Sequence, residues 1–205
     1  MTDMQVKYPL IESIRLADGR FYLLKLHEDR IRKARYHLFD NQDDFSLSDY
    51  FQQWNIPTKG LFKCRIEYGL SFAPPVFIPY QYQIPDSIKL VHASQIDYSF
   101  KYSDRSIIQQ LKASAADHDD ILIVINGLIT DSSYCNILFS HHGSWVTPAT
   151  PLLAGVQREY LLRRGIIKTA AIDVDSLHTF ESFKLINAMI PFEQAVELPM
   201  KLIIR

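Results

Sequence analysis

The sequence Asp120-Ile-Leu-Ile-Val-Ile-Asn-Gly127 is an apolar run that ends in a turn signal. The chain continues with Leu128-Ile-Thr-Asp-Ser-Ser-Tyr-Cys-Asn-Ile-Leu-Phe139, then Trp145-Val-Thr-Pro148, then Leu152-Leu-Ala-Gly-Val-Gln-Arg158. An Asn-Gly pair after an apolar run is typical of a β-hairpin. A glycine at the start of a helical pattern and another at its end mark the limits of a helix. We therefore expect strands over 121–125, 133–139 and 144–146, followed by a helix over 155–164 that Gly165 terminates.

The segments on either side of this stretch predict a mixed fold. Apolar runs over 10–15 and 20–26 flank an Asp-Gly pair, which indicates a second hairpin. Helical spacing follows over 27–41 and 46–54, where Ser46 is the expected N-cap. The remaining pattern predicts strands over 61–68, 76–83, 88–92, 167–174, 183–189 and 195–204, and helices over 103–116 and 175–180. We expect an α/β (α+β) protein of two small domains, residues 1–90 and 91–205, divided in the turn-rich zone around 85–95.

Composition excludes several classes of protein. The chain has 205 residues, of which 47% are hydrophobic and 22% charged, with a net charge of −1. Such a chain has no broad basic field for nucleic acid or an anionic membrane, and its apolar runs are too short to cross a bilayer. Residues 1–7 lack the apolar core of a signal peptide. Cys64 and Cys135 are typical of buried thiols in a reducing compartment, so we expect a cytoplasmic protein.

Taken singly, the polar residues point to no one chemistry. Lys101, before a helix, is typical of a solvated lysine, and Arg30, one turn into a helix, of a solvated arginine. Asp131 could shape a turn between two strands. Gly155 begins a helix whose first N–H groups could hold an anion or only water. The pair His141-His142 lies in a hairpin tip without a third ligand, so no metal site is expected.

Their joint order resembles the class IV aminotransferase family, the fold-type IV enzymes that depend on pyridoxal 5'-phosphate (PLP). Residues 127–139 are similar to the family's Gly-x-x-(Thr/Ser)-Glu-x-x-x-x-Asn-(Ile/Leu)-Phe motif. Thr147-Pro148 and residues 153–158 are similar to its Thr-Pro and Leu-x-Gly-Ile-x-Arg elements, and residues 27–31 to its His-x-x-Arg-Leu helix. The likeness runs from Leu10 to about Val196. It implies two mixed α/β domains with PLP at their interface, in a homodimer.

The resemblance also implies a set of cofactor-binding residues. Lys101 matches the lysine that binds PLP covalently and then acts as acid and base at the substrate carbon. Arg30 matches the arginine that grips the phosphate, because a planar guanidinium suits that anion. Asp131 occupies the position of the glutamate that pairs with the ring nitrogen. The resemblance further assigns the phosphate site to the helix start, and the neighbouring region to a later turn: Gly155, Val156 and Gln157 in the first, Asn187 and Ala188 in the second.

Substrate binding is expected on a strand of the first half. Lys63 and Arg65 are alternate residues on one strand face. They are candidates to bind a substrate carboxylate, and a structural ion pair is the alternative. Two departures from the family pattern concern the same site. Asp131 is one methylene shorter than glutamate, and the chain begins close to the segment that matches Leu10, so we expect a shortened N-terminal region and a more open site.

Two segments favour one reaction of the family. Lys101-x-x-Asp104-Arg105 is more similar to the Lys-x-x-Asn-Arg of aminodeoxychorismate lyase than to the Lys-x-x-x-Asn-Tyr of branched-chain aminotransferases. Residues 186–191 are similar to the lyase's Cys-Asn-Ala-Leu-Met-Pro. The resemblance therefore implies conversion of 4-amino-4-deoxychorismate to 4-aminobenzoate and pyruvate, a step of folate biosynthesis. The alternatives are an aminotransferase of the branched-chain or D-amino acid type, and a PLP-binding protein without turnover.

Overall fold

The computed structural model describes residues 9–94 and 96–205. The expectation that residues 1–7 carry no signal peptide therefore lies outside the described residues. The described chain forms two compact units, one of residues 9–81 with Phe100–Asp104 and one of Tyr82–Ser99 with Arg105–Arg205. Within the described ranges, none of the helices has the length and apolar character needed to cross a membrane.

The first unit is a four-stranded antiparallel sheet with two helices. Its strands lie in the order β2-β1-β3-β4. Asp18 and Gly19 both have positive φ, as a tight hairpin turn between β1 and β2 requires. The elements are β1 (Leu10–Ala17), β2 (Arg20–Phe21), α1 (Leu24–Phe39), α2 (Leu47–Phe51), β3 (Leu61–Tyr68) and β4 (Val76–Pro79).

The predicted strand over 20–26 is wrong beyond Phe21. Leu23 takes a left-handed conformation that stops the hairpin, and α1 begins at Leu24. Leu24 then packs against the core of this unit, in which α1 contributes Ile31 and Ala34. Burial of the α1 face therefore overrides the local strand pattern. The prediction of Ser46 as an N-cap is confirmed, because its Oγ accepts the N–H of Asp49.

Alternate residues of β1 and β3 face that core. Leu10, Ile14, Cys64, Ile66 and Tyr68 are fully buried in it. Leu10, Ile14 and Ile66 each stabilise the unit by about 1.5–3 kcal/mol relative to exposure. The intervening residues, which include Lys63 and Arg65, therefore lie on the opposite face of the sheet.

Residues 100–104 pair with the first unit although they follow β5 in sequence. The N–H of Ile11 donates to the Lys101 carbonyl over 2.9 Å, and the N–H of Ser103 donates to the Pro9 carbonyl over 2.8 Å. The predicted boundary between 90 and 91 differs from this division in two ways. It cuts β5, which pairs along its whole length with β6, and it assigns residues 100–104 to the second domain.

The second unit is built on a mixed sheet. Among the described residues its main strand order is β10-β9-β8-β7-β6-β5-β13, and β11 pairs with β8 and β12. Its strands are β5 (Ile88–Ala93), β6 (Asp120–Ile125), β7 (Leu128–Ser132), β8 (Asn136–His141), β9 (Ser144–Pro148), β10 (Ile167–Ala170), β11 (Ser182–Ile186), β12 (Leu198–Pro199) and β13 (Ile203–Ile204). Its helices are α3 (Ser106–Ala113) and α4 (Val156–Arg163), with short 3-10 helices at Asp175–Thr179 and Met200–Leu202.

The predicted three-strand meander has a fourth strand, β7. The expected strand over 133–139 begins only at Asn136, because residues 132–135 form a tight turn in which the Ser132 N–H donates to the Cys135 carbonyl over 2.9 Å. Asp131 therefore lies on a strand and not in a connecting turn. Helix α3 begins at Ser106, later than predicted, because Ser103 is bonded to the first unit.

Candidate functional site

Lys101 lies beside β1, at a position fixed by the main chain. Its carbonyl accepts the N–H of Ile11, and the next residue, Tyr102, forms a bridge with Leu10. Phe100 and Tyr102, its two neighbours, pack against the core of the first unit. The lysine is therefore held on an anchored stretch of backbone and not on a mobile loop.

A buried ion pair orients Arg30. The Arg30 Nε donates to Glu12 Oε1 over 2.7 Å, and its Nη2 donates to Glu12 Oε2 over 2.6 Å. His27 Nδ1 lies 2.6 Å from the same Oε2. Glu12 and His27 are fully buried, whereas the Arg30 side chain keeps 14% of its exposure. The two-point contact fixes the plane of the guanidinium.

The charges of this cluster favour an ionised Glu12 beside a neutral His27. Burial opposes ionisation of Glu12, but the Arg30 guanidinium and His27 hold the pKa of this carboxyl well below its usual range. Burial lowers the pKa of His27, although Glu12 acts in the opposite direction. His27 Nδ1–H then donates to Glu12, and its Nε2 has no hydrogen-bond partner in the described structure. Sequence reasoning missed Glu12, yet an acidic residue at an inward-facing position of β1 was a usable signal.

β3 holds the two candidates for substrate binding. Lys63 and Arg65 alternate with buried Cys64 and Ile66, as predicted. The Arg65 Nη2 donates to Glu67 Oε1 over 2.7 Å, and both side chains are partly exposed. An exposed pair of this kind contributes only about 0–1 kcal/mol, so the guanidinium can exchange its partner at little cost.

In the second unit, Asp131 of β7 lies opposite Asn136 of β8. Asp131 is 5% exposed. Its Oδ1 accepts from Asn136 Nδ2 over 2.8 Å, and its Oδ2 accepts from the Leu153 N–H over 2.8 Å. Burial raises the pKa of Asp131 to about 6, against the lowering effects of these hydrogen bonds and of the Arg158 charge. The contacting donors are neutral, so this carboxylate has no cation in contact with it in the described structure.

The turn into α4 presents N–H groups beside this carboxylate's partners. Gly155 is the N-cap in an extended conformation, and the first intrahelical bond runs from the Glu159 N–H to the Gly155 carbonyl. The N–H groups of Val156 and Gln157 precede that bond, so they have no partner within α4, and such N–H groups at a helix N-terminus suit an anion. A Cβ at Gly155 would overlap Asn136 Oδ1, so glycine allows close approach here.

Asn187 shapes its own turn. Its Oδ1 accepts the N–H groups of Met189 and Ile190 over 2.8 and 3.1 Å, and its Nδ2 lies 3.2 Å from Cys135 Sγ. The side chain thus ties the 187–190 turn to the turn that precedes β8. The expectation that Asn187 and Ala188 line a cofactor site stays a prediction.

The structure therefore gathers the predicted residues into two groups. Lys101, Arg30, Lys63 and Arg65 belong to the first unit. The second unit holds the rest: Asp131, Gly155, Val156, Gln157, Asn187 and Ala188. Their roles as site residues remain predictions from the resemblance.

The raised pKa of Asp131 predicts a pH-dependent loss of stability. The ordinary pKa of an aspartate in the unfolded chain is 3.8, whereas the pKa of Asp131 in the folded protein is about 6. Between these two pH values the folded protein keeps a proton on Asp131 that the unfolded chain has already released. Ionisation therefore destabilises the fold progressively as the pH rises from about 3.8 to about 6, by up to about 3 kcal/mol.

Asp131→Asn removes the ionisable carboxyl and with it this pH-dependent loss of stability. Urea unfolding at pH 4.5 and 7.5 is expected to show a gain in the variant's relative stability at the higher pH. Asp117→Asn, at an exposed aspartate of the same unit, is the control, and an equal pH response in both variants contradicts the expectation.

Comparison with known proteins identifies the family. The profile of amino-transferase class IV matches residues 99–197. An uncharacterised protein of Haemophilus influenzae is 35% identical over 185 residues, which cover 89% of this chain and 98% of that protein. The crystal structure of a candidate 4-amino-4-deoxychorismate lyase from Haemophilus somnus is 31% identical, with a TM-score of 0.83 over 91% of this chain and 98% of that one.

A more distant likeness supports the fold alone. A hypothetical aminotransferase from Mycobacterium tuberculosis, solved with alpha-ketoglutarate and PMP, is 17% identical, with a TM-score of 0.74 over 95% of this chain and 81% of that one. Together the likenesses confirm the predicted α/β fold of type IV. The chain belongs to the class IV amino-transferase family of enzymes, as its motifs predict.

Proposed function

We propose that this enzyme uses PLP to convert 4-amino-4-deoxychorismate to 4-aminobenzoate and pyruvate. The observation that carries the cofactor assignment is the buried Asp131 carboxylate, tied through Leu153 to the turn that opens α4. A carboxylate and a set of orphan N–H groups in one unit match the two ends of PLP, a protonated ring nitrogen and a phosphate. The choice of reaction is supported by the likeness to the Haemophilus somnus protein over nearly its whole length.

The residues present fit the cofactor. Asp131 has lone pairs left after two hydrogen bonds, since a carboxylate offers about four acceptor sites. Asn136 Oδ1 fills the space that a Cβ at Gly155 would need, so the residue before the Val156 and Gln157 N–H groups carries no side chain. Arg30, with its guanidinium plane set by Glu12, would add a cation for the phosphate. Bound PLP supplies an electron sink for bonds next to the substrate nitrogen.

The chain's own groups then carry out the proton movements. Lys101 would hold the cofactor. As a free amine it would remove the proton from the ring carbon that bears the substrate amino group and pass it to the departing enolpyruvate, so that the ring becomes aromatic and pyruvate leaves. Asp131 would hold the ring nitrogen of PLP and, through its negative charge, would favour the protonated form of that nitrogen. Lys63 and Arg65 would bind the carboxylates of the substrate, for which a planar guanidinium is well suited.

The test is a direct assay of the products. Purified protein with PLP is expected to release pyruvate and 4-aminobenzoate in equal amounts from 4-amino-4-deoxychorismate. Incubation of branched-chain and D-amino acids with α-keto acids serves as the comparison. Transamination without 4-aminobenzoate would replace the lyase by an aminotransferase, and PLP uptake without either product would leave only a binding protein.

We also propose that the enzyme is a cytoplasmic homodimer that serves folate biosynthesis. The family resemblance supports the dimer and the pathway. Cys64 and Cys135 are both buried and neither forms a disulfide, as suits a reducing compartment. Light scattering tests the dimer, for which the expected mass is about twice the 23.8 kDa of one chain.

A further inference from the structure

We infer that Asn136 is a positioning residue that fixes the Asp131 carboxylate against the turn leading into α4. The inference rests on the proposed function, since it concerns how one unit would hold both ends of PLP. Asn136 belongs to the motif that identifies the family, but nothing in the proposed chemistry uses it directly.

A closed set of hydrogen bonds joins the strand to the turn. Asn136 Nδ2 donates to Asp131 Oδ1 over 2.8 Å and to the Leu153 carbonyl over 3.0 Å. The Leu153 N–H donates back to Asp131 Oδ2 over 2.8 Å. The Asn136 amide thus contacts both the Asp131 carboxylate and Leu153, and Leu153 contacts the same carboxylate. Because all three residues are bonded to one another, a shift of any one displaces the other two.

The contact with Gly155 is the second part of the arrangement. The φ of Gly155 is −71°, which any residue can adopt, so the backbone conformation does not require glycine. A Cβ there would overlap Asn136 Oδ1 and approach its Cγ. The Asn136 amide therefore packs directly against the residue that caps α4. Asn136 Nδ2 orients the Asp131 carboxylate, and Asn136 Oδ1 limits how closely the start of α4 can approach β8.

This arrangement sets the separation of two binding groups. A ligand with a cationic ring nitrogen and an anionic phosphate needs a carboxylate and helix N–H groups at one fixed distance. Rigid neighbours that hold such groups in place raise affinity because little ordering remains for the ligand to impose. Asn136 contacts the supports of both groups, whereas Arg158 donates to the Pro148 carbonyl and acts on Asp131 only through its charge.

The experiment compares Asn136→Ala with Thr130→Val. Thr130 is buried, lies next to Asp131 on β7, and donates its hydroxyl to the Ile123 carbonyl over 2.9 Å, away from the Asp131 carboxylate. Both variants lose a buried polar contact in the same place. PLP affinity, measured by absorbance titration, is expected to fall about tenfold or more in Asn136→Ala and to stay within about twofold of wild type in Thr130→Val.

A second measurement needs no cofactor. Because Asn136 donates to the ionised carboxylate, its removal is expected to raise the pH at which Asp131 titrates by about one unit in a ¹³C NMR titration of the apo protein. Thr130→Val is expected to leave that titration unchanged. Equal PLP affinities and equal titrations in the two variants would overturn the positioning role. Failure of the wild type to bind PLP would instead overturn the proposed function.

Gly155→Ala tests the same contact from the other side, and covers the case in which Asn136→Ala does not fold. Its Cβ displaces the Asn136 amide, so the same loss of PLP affinity is expected. In the double variant the smaller side chain at 136 leaves room for that Cβ, so the combined loss of thermal stability should be smaller than the two single losses together. Additive losses, with PLP affinity retained in Gly155→Ala, would show that the two residues act independently and would refute the inference.

Discussion

Lys101→Ala is expected to abolish the visible absorbance of lysine-bound PLP and to lower turnover by at least about 10³-fold, since both a covalent link and a general acid–base are removed. The variant should fold, because the contacts that place this segment are main-chain bonds from Ile11 and Ser103. Absorbance spectra of wild type and variant with added PLP measure the first effect. Release of pyruvate and 4-aminobenzoate measures the second.

Lys33→Ala is the matched control for this experiment. Lys33 is an exposed lysine on α1 of the same unit, so its removal changes the net charge equally without touching the proposed site. Its spectrum and turnover are expected to match those of wild type. Should Lys101→Ala keep the visible band and normal turnover, Lys101 is an ordinary surface lysine and the proposed chemistry fails.

The sequence predicted several turns of the second unit correctly. Asn126-Gly127 and His142-Gly143 both adopt the positive φ values of hairpin turns, and Gly165 ends α4 through the bonds of a helix C-cap. Such punctuation depends on the local backbone and is visible in the sequence. The strand prediction for residues 20–26 was wrong beyond Phe21 because their apolar residues also suit the start of a helix. Packing of Leu24 and Ile31 in the core of the first unit favours the helix.

The candidate site shows the same limit. Motifs identified Lys101, Arg30 and Asp131 because each occurs at a recognisable spacing. Glu12 and the role of Asn136 were missed because each depends on a contact that only the fold shows. Glu12 binds Arg30, 18 residues away in sequence, and Asn136 binds Asp131, 5 residues away. The return of residues 100–104 to the first unit is a long-range pairing, which no local pattern indicates.

Glu12 in the first unit and Asp131 in the second are both buried carboxylates, and the two differ in charge balance. Glu12 has the Arg30 guanidinium in contact, so its pKa is held low. Asp131 accepts only from neutral donors in the described structure, and burial raises its pKa. A cation placed beside Asp131 would lower that pKa, because an opposite charge favours the ionised form. A protonated pyridine nitrogen is such a cation, so bound PLP would be expected to lower the pKa of Asp131.

Glu12→Gln is expected to destabilise the protein by roughly 3–5 kcal/mol, because it leaves the Arg30 charge without its buried partner. The variant should also bind PLP more weakly, since Gln cannot accept two charged hydrogen bonds and the guanidinium loses its fixed plane.

The loss of stability in Glu12→Gln is expected to depend on pH. The pKa of Glu12 is lowered by folding, so its stabilisation is fully present above its ordinary value of 4.5 and is lost as the pH falls below it. Urea unfolding of wild type and Glu12→Gln from pH 7 to pH 3 should therefore show a gap that narrows in acid.

Asp44→Asn separates this effect from the loss of any arginine–carboxylate pair. Asp44 pairs with Arg32 over 2.9 Å in the same unit, but its side chain is 92% exposed. Water screens that pair, so the expected loss is below about 1 kcal/mol with no change in PLP affinity. A Glu12→Gln variant that is no less stable than Asp44→Asn, and binds PLP as wild type does, would mean that Arg30 needs no carboxylate to hold it. The orientation of Arg30 would then have to come from α1 alone.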